Sequence, residues 1–183
     1  EASEDYILCL RKIYEFSDYV AINISSPNTE SLRELSGKVY FDSLLQKIKA
    51  EQITLSTSCG YKPIFVKISP DESLENLESI CKSILKNNID GIICSNTTNA
   101  HDGKHGPGGL SRTPLKERSN ASLENVKNLI GEKLPIIASG GVMSTTDYEE
   151  KLNKGANIVQ LYTGFIFEGP QLIRDIVNLK SHQ

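Results

Sequence analysis

The stretch YVAINISSPNTESLR, residues 19–33, begins as an apolar run of β-prone residues and continues as a string of small polar side chains. Pro27 prevents a helix from starting inside that string. In α/β enzymes, a strand that ends in hydrogen-bonding side chains just before a loop is where ligands bind. The alternative is an Asn- and Ser-rich turn that only caps the strand. Residues 19–33 alone do not separate the two interpretations.

Composition limits the class of protein. The chain has 183 residues, of which 38% are hydrophobic, and this suits one globular domain with a real core. Its net charge is −3, and no basic stripe offers a surface for nucleic acid. No apolar run approaches the roughly 18 residues of a membrane span. The four cysteines are widely spaced without a CxxC pair, so we expect reduced thiols and no metal site.

Strand-like apolar runs alternate with amphipathic helical patterns along the whole chain. We predict helices over 3–16, 39–55, 71–87, 120–130, 144–154 and 170–179, and strands over 19–22, 63–69, 89–95, 135–139 and 158–162. No hairpin signal interrupts the series. Five strand–helix units with buried strands predict an α/β fold with a parallel sheet.

Two architectures fit this pattern, a doubly wound open sheet and a (β/α)8 barrel. Each predicted strand carries polar or glycine residues at its carboxyl end, including Asn23, Lys67, Ser95, Ser139 and Gln160. Functional groups at every strand end favour the barrel, because an open sheet concentrates them at one switch point. A barrel needs eight strands and typically about 250 residues. We therefore predict that residues 1–183 are the C-terminal part of a single barrel domain, contribute its last five βα units, and lack its first three strands.

Two further signals indicate an anionic ligand. Gly140-Gly141 and Tyr162-Thr163-Gly164 follow the last two strands, where barrel loops often bind phosphate, although both could be ordinary turns. Lys67 lies inside an apolar strand, where its ammonium requires a partner. It could stabilise the negative charge of a reduced flavin, serve as a Schiff-base amine, or simply reach solvent at the strand end.

Six motifs occur in order along the chain: NISSPNT, FVKISPD, SNTT, GGLS, ASGG and QLYTGFIFEGP. Together they resemble the dihydroorotate dehydrogenases, and more narrowly the class 2, quinone-linked branch. The resemblance implies an FMN-dependent (β/α)8 barrel that oxidises dihydroorotate to orotate in pyrimidine biosynthesis and passes electrons to a membrane quinone. It also implies a protein peripheral to the bacterial or mitochondrial inner membrane, whose membrane-docking helices would precede this chain.

The resemblance assigns roles residue by residue. Ser26 lies where class 2 members carry their catalytic serine base. The positions that match substrate-binding residues are Asn23, Asn28, Asn96 and Thr97. The positions that match FMN-binding residues are Asn23, Lys67, Ser95, Arg112, Gly141, Tyr162 and Thr163.

The sequence departs from the family pattern at two places. Glu30 and Ser31 replace the usual Pro-Gly after the base, and Arg112 replaces a glycine that commonly lies near the FMN phosphate. A guanidinium there could still contact phosphate. Two alternatives stay open, a phosphate-binding lyase that uses Lys67 as a Schiff-base amine and an inactive fragment of the parent enzyme. We expect residues 1–183 alone neither to close a barrel nor to turn over substrate.

Overall fold

The computed structural model describes residues 2–25, 38–103, 106 and 108–180, and excludes the side chains of residues 2, 38, 39 and 180. Five parallel strands form one sheet: β1 Val20–Asn23, β2 Ile64–Ile68, β3 Gly91–Cys94, β4 Ile136–Ser139 and β5 Ile158–Gln160. Their order in the sheet is β1-β2-β3-β4-β5, so each strand pairs with the next strand of the chain.

Helices connect the strands. They are α1 Ala2–Ile13, α2 Lys38–Cys59, α3 Leu74–Lys86, α4 Lys116–Ile130, α5 Thr145–Asn153, α6 Thr163–Glu168 and α7 Pro170–Lys180, with 3₁₀ turns at Tyr14–Phe16 and Thr113–Leu115. Two of the helices start at serine caps: Ser73 accepts a hydrogen bond from the Asn76 N–H, and Ser144 accepts one from the Asp147 N–H, both at 3.2 Å. Serine is among the preferred residues at this position, because its oxygen accepts a hydrogen bond from a free N–H of the first turn.

The strand order separates the two candidate architectures. A doubly wound sheet reverses its strand order at a switch point, whereas neighbouring strands of a (β/α)8 barrel follow one another around the barrel. All four pairings in this sheet are parallel and sequential. The sheet is therefore an arc of a barrel, which confirms the predicted fold.

The two faces of the sheet bury different side chains. The main core lies between the sheet and helices α1 to α4, and it includes Ile22, Val66 and Ile92. The opposite, inner face carries a smaller cluster of Phe65, Ile93 and Ile137. One face meets the helices and the other the barrel interior, because side chains alternate along each strand.

Some predicted boundaries are wrong. Helix α4 begins at Lys116 rather than at 120, because the 3₁₀ turn Thr113–Leu115 leads directly into it. Strand β5 ends at Gln160 rather than at 162. The sequence analysis missed the short helix α6, which begins at Thr163. The apolar residues of α6 are typical of a strand, and the helix is too short to show a helical period in its sequence.

A polar cluster closes the amino end of β2 and β3. The Asp90 carboxylate accepts hydrogen bonds from the Ile64 N–H at 2.7 Å and from Gln52 Nε2 at 2.8 Å, and the Tyr61 hydroxyl donates to its other oxygen. Burial and the hydrogen bond to Asp90 raise the pKa of Tyr61 to about 12. These contacts join α2 to both strands at the end of the sheet that is opposite the polar strand ends.

Replacing Asp90 by asparagine should lower the free energy of unfolding by about 2 kcal/mol. Both carboxylate oxygens of Asp90 accept hydrogen bonds, whereas the NH₂ group of an asparagine would face donors that it cannot accept from. Urea unfolding of the protein that carries this chain measures the change. The matched control is Asp18→Asn, since Asp18 is an exposed aspartate on the chain before β1. Equal unfolding midpoints for the two variants would show that the cluster contributes nothing.

Candidate functional site

A cavity of about 460 Å³ lies at the carboxyl ends of β2 to β5. It is lined by strand ends and by the loops that follow them, which is where barrel enzymes bind their ligands. The sequence-predicted site residues around it are Lys67, Ser95, Asn96, Thr97, Arg112, Gly141, Tyr162 and Thr163. Four successive strands and their loops thus bring together eight of the eleven predicted positions.

Lys67 contributes a cation to the floor of this cavity. It lies on β2, in register with Asn23 of β1 and Ile93 of β3, and its side chain is half-buried. Burial lowers the pKa of Lys67, and no carboxylate of the described residues offsets this. A half-buried ammonium without a counter-ion favours an anionic or electron-rich ligand beside it.

The ends of β1 and β3 are joined by amide and hydroxyl groups. The Asn23 Oδ1 accepts hydrogen bonds from the Ser25 N–H at 3.1 Å and from the Ser25 hydroxyl at 3.0 Å. Asn96 Nδ2 reaches across to the Ser25 hydroxyl at 3.1 Å and to Asn23 Oδ1 at 3.4 Å. Ser25 is therefore the residue that sets the orientation of two predicted ligand-binding amides.

Asp71 holds the loop that follows β3. Its carboxylate accepts hydrogen bonds from the Thr98 hydroxyl and from the Asn99 N–H, the latter at 2.9 Å. Thr98 is buried and pairs with Leu110 in an isolated antiparallel bridge. These contacts fix the chain immediately after Asn96 and Thr97, and so fix where those two side chains stand.

The Gly140-Gly141 loop after β4 packs directly on the start of α4. The two residues have φ values of +105° and +75°. A Cβ at Gly141 would lie 2.4 Å from Lys116 Cα, and one at Gly140 would lie 2.7 Å from Leu115 Cδ2. Only glycine fits this path, which brings bare backbone to the cavity wall.

The loop before α4 is tied to α6 by two contacts. The Thr163 hydroxyl donates to the Ser111 hydroxyl at 3.1 Å, and the Arg112 guanidinium carbon lies 3.8 Å from the centre of the Phe167 ring. Arg112 has a φ of +64°, in the region that glycine favours. The stacking on Phe167 is an attractive contact at this otherwise unfavourable position.

Of the three predicted site residues that do not line the cavity, only Asn23 belongs to the described residues. Asn23 lies beside the cavity through its contact with Asn96, whereas Ser26 and Asn28 lie outside the described residues, as do Glu30 and Ser31. Of the other cavity residues, the sequence analysis singled out Ser139, Gly140 and Gln160 as strand-end or loop residues without assigning them a ligand contact, and it missed Ser111. Ser139 and Gln160 carried a usable signal, since both are polar residues at strand ends.

The described part of the chain contains neither a metal-ligand cluster nor a membrane-spanning helix. Among residues 2–25, 38–103, 106 and 108–180, no three His, Cys, Asp or Glu side chains are grouped so that they could hold a metal ion. The His101 ring contacts its own loop, 2.9 Å from the Gly108 carbonyl oxygen. In the same described part of the chain, no helix has both the length and the apolar character needed to cross a membrane.

A known protein family shares this sequence and this fold. The family model described as dihydroorotate dehydrogenase matches residues 1–181. The chain belongs to the dihydroorotate dehydrogenase family. The family resemblance that the ordered motifs indicate is thereby confirmed.

Individual members of the family show how much of them this chain represents. It is 47% identical to a Vibrio parahaemolyticus protein named dihydroorotate dehydrogenase (quinone), over 96% of this chain and 54% of that protein. A Nitrosomonas eutropha protein of the same name is 43% identical, over 97% and 54% respectively. A crystal structure from Eimeria tenella, a dihydroorotate dehydrogenase in complex with ferulenol, superposes with a TM-score of 0.89 at 30% identity, over 95% of this chain and 52% of that one. The chain thus spans about half the length of these dihydroorotate dehydrogenases.

Proposed function

We propose that the protein carrying this chain oxidises dihydroorotate to orotate with FMN as cofactor and a quinone as electron acceptor. The observation that supports this most is the cavity itself, which combines an ammonium that has no carboxylate partner among the described residues, a bare glycine backbone and the amide side chains of Asn96 and Gln160. Family membership supplies the reaction class, and the relatives named as quinone-linked supply the acceptor.

The residues around the cavity fit a flavin phosphate at one end. Gly140 and Gly141 leave no room for a side chain, so backbone N–H groups can approach an anion there. Thr163, the first residue of α6, adds a hydroxyl, and Arg112 adds a guanidinium from the loop before α4. In this proposal Gly141, Arg112, Tyr162 and Thr163 hold the phosphate, while Ser95, Lys67 and Asn23 hold the ring system.

The other end of the cavity fits a planar substrate. Asn23, Asn96 and Thr97 carry side chains there that both donate and accept hydrogen bonds, which suits a ring that alternates N–H and C=O groups. The family resemblance adds Asn28, which lies outside the described residues. Oxidation of dihydroorotate removes a proton from C5 and a hydride from C6. FMN, when bound, accepts the hydride. Ser26 takes the proton from C5, and a hydroxyl or water relay passes it on, because a serine alone is a weak base.

The decisive experiment is anaerobic reduction of the purified protein by dihydroorotate, followed by reoxidation with a quinone. We expect a yellow protein with about one FMN per chain that bleaches on addition of dihydroorotate and recovers with quinone. A colourless protein that forms a borohydride-stable adduct at Lys67 would instead support the Schiff-base lyase. The polypeptide 1–183 alone should bind no stoichiometric flavin, because β1 and β5 are edge strands of the described sheet.

Replacing Lys67 by methionine should slow flavin reduction by about 10²–10³-fold, since the ammonium opposes the negative charge that develops on reduction. Stopped-flow absorbance under anaerobic conditions measures the rate. Lys82→Met is the matched control, because Lys82 is exposed on α3 and pairs with Glu78. A rate within twofold of the control would show that Lys67 does not act on the flavin.

A further inference from the structure

A buried lysine lies behind the glycine loop, away from the cavity. Lys151 of α5 is 1% exposed, and its ammonium donates to the Ser119 hydroxyl of α4 at 2.6 Å. Ser119 is itself fully buried, and its oxygen lies 2.9 Å from the Gly140 carbonyl and 3.0 Å from the Lys116 carbonyl. The Ser119 hydroxyl has one proton to donate, and the Gly140 carbonyl is the nearer of its two acceptors, so hydrogen bonds connect Lys151 through Ser119 to the first residue of the glycine loop.

The direction of the Gly141 N–H follows from the geometry of a trans peptide. In a trans peptide, the carbonyl of one residue and the N–H of the next point in opposite directions. Holding the Gly140 carbonyl on Ser119 therefore turns the Gly141 N–H the other way, toward the cavity that Gly141 lines. Among the described residues, no backbone carbonyl accepts a hydrogen bond from that N–H.

We propose that Lys151 is a positioning residue that, through Ser119, fixes the Gly140 carbonyl and so presents the Gly141 N–H to the phosphate of the flavin. This inference rests on the proposed function, because it assumes FMN in the cavity. It assigns a role in ligand selection to a side chain that never touches the ligand.

The charges around Lys151 support an electrostatic part of this role. The two carboxylates that act electrostatically on Lys151, Asp147 and Glu150, are both engaged by Lys116, at 2.7 and 2.8 Å. Burial lowers the pKa of Lys151 to about 8, and the neighbouring Cys94, Glu150 and Asp147 offset this only in part. The Lys151 ammonium has no carboxylate partner among the described residues, so a phosphate on the other side of the loop would supply the missing negative charge.

The test compares FMN with riboflavin, which has the same ring system and no phosphate. Lys151→Met keeps the length of the side chain and removes its charge and its donors. In the full-length protein stripped of flavin, we expect the Kd for FMN to rise about tenfold or more, while the Kd for riboflavin changes less than twofold. Fluorescence titration measures both. Lys154→Met is the matched control, because that lysine caps the C-terminal end of the same helix and pairs with Glu124 on the surface.

Ser119→Ala is a second test of the same contact. It removes the hydroxyl that lies between Lys151 and Gly140, keeps Lys151, and inserts no larger side chain. It should reduce FMN affinity as Lys151→Met does, and the double variant should lose no more than either single one, because the two residues act in series. Equal losses for both flavins, or none for FMN, would overturn the inference alone. A parent protein that binds neither flavin would overturn both this inference and the proposed function.

Discussion

Replacing Ser26 by alanine should reduce the rate of flavin reduction by dihydroorotate by about 10²–10⁴-fold, the usual contribution of a positioned general base. The physical reason is that C5 of dihydroorotate must lose a proton as the hydride leaves C6. Residues 23–29 offer amide and hydroxyl side chains but no histidine or carboxylate, so the candidate base in this stretch is a hydroxyl. FMN content should not change, since no cofactor contact is assigned to Ser26.

The measurement is single-turnover reduction in the absence of oxygen, with the flavin content determined from the absorbance of the same sample. Ser58→Ala is the matched control, because that serine is exposed on α2 and its hydroxyl contacts, among the described residues, only the Leu55 carbonyl and the Cys59 sulfur of its own helix. A Ser26→Ala protein that reduces its flavin at the control rate would remove Ser26 from the mechanism. Loss of flavin together with activity would instead point to a structural role for the serine.

The sheet could be predicted from the sequence because each strand is a short apolar run between helices with a clear amphipathic period. Polar side chains at the strand ends then indicated the barrel, and the sequential strand order agrees. Residues such as Lys67 and Asn96 were recognisable as candidates because a polar group at a strand end has few structural reasons to be there.

The buried contact between Lys151 and Ser119 behind the glycine loop could not be predicted from the sequence. Lys151 lies in a charged stretch, YEEK, and reads as part of a solvated helix face, yet it is almost fully buried. Its burial depends on how α5 crosses α4, and Ser119 becomes its partner only through that packing. Neither hydropathy nor spacing encodes such a contact between two helices.

The second large effect is expected at Gly141. Alanine at this position would place a Cβ 2.4 Å from Lys116 Cα and 2.8 Å from Lys116 N, distances that no side-chain rotation can relieve because both atoms are backbone. A φ of +75° adds about 1–2 kcal/mol for a residue with a Cβ. We therefore expect Gly141→Ala to lower the free energy of unfolding by more than about 3 kcal/mol.

Gly141→Ala should weaken FMN binding as well as lower stability. To relieve the clash, either the start of α4 or the glycine loop has to move, and each movement shifts the Gly141 N–H relative to the cavity. Displacing a backbone donor from a phosphate costs about 1.5–3 kcal/mol, so FMN should bind roughly 10- to 100-fold more weakly. Urea unfolding and fluorescence titration with FMN measure the two effects on the same preparation.

Gly131→Ala separates the clash from the backbone strain. Gly131 ends α4 with a φ of +61°, close to that of Gly141, but no atom lies within 4 Å of the Cβ that an alanine would add. The alanine there carries the strain without the collision, so it should cost only about 1–2 kcal/mol and leave FMN binding unchanged. If Gly141→Ala behaved like Gly131→Ala in both measurements, the loop would be able to move at no cost. The close approach of Gly141 to Lys116 would then have no part in building the phosphate site.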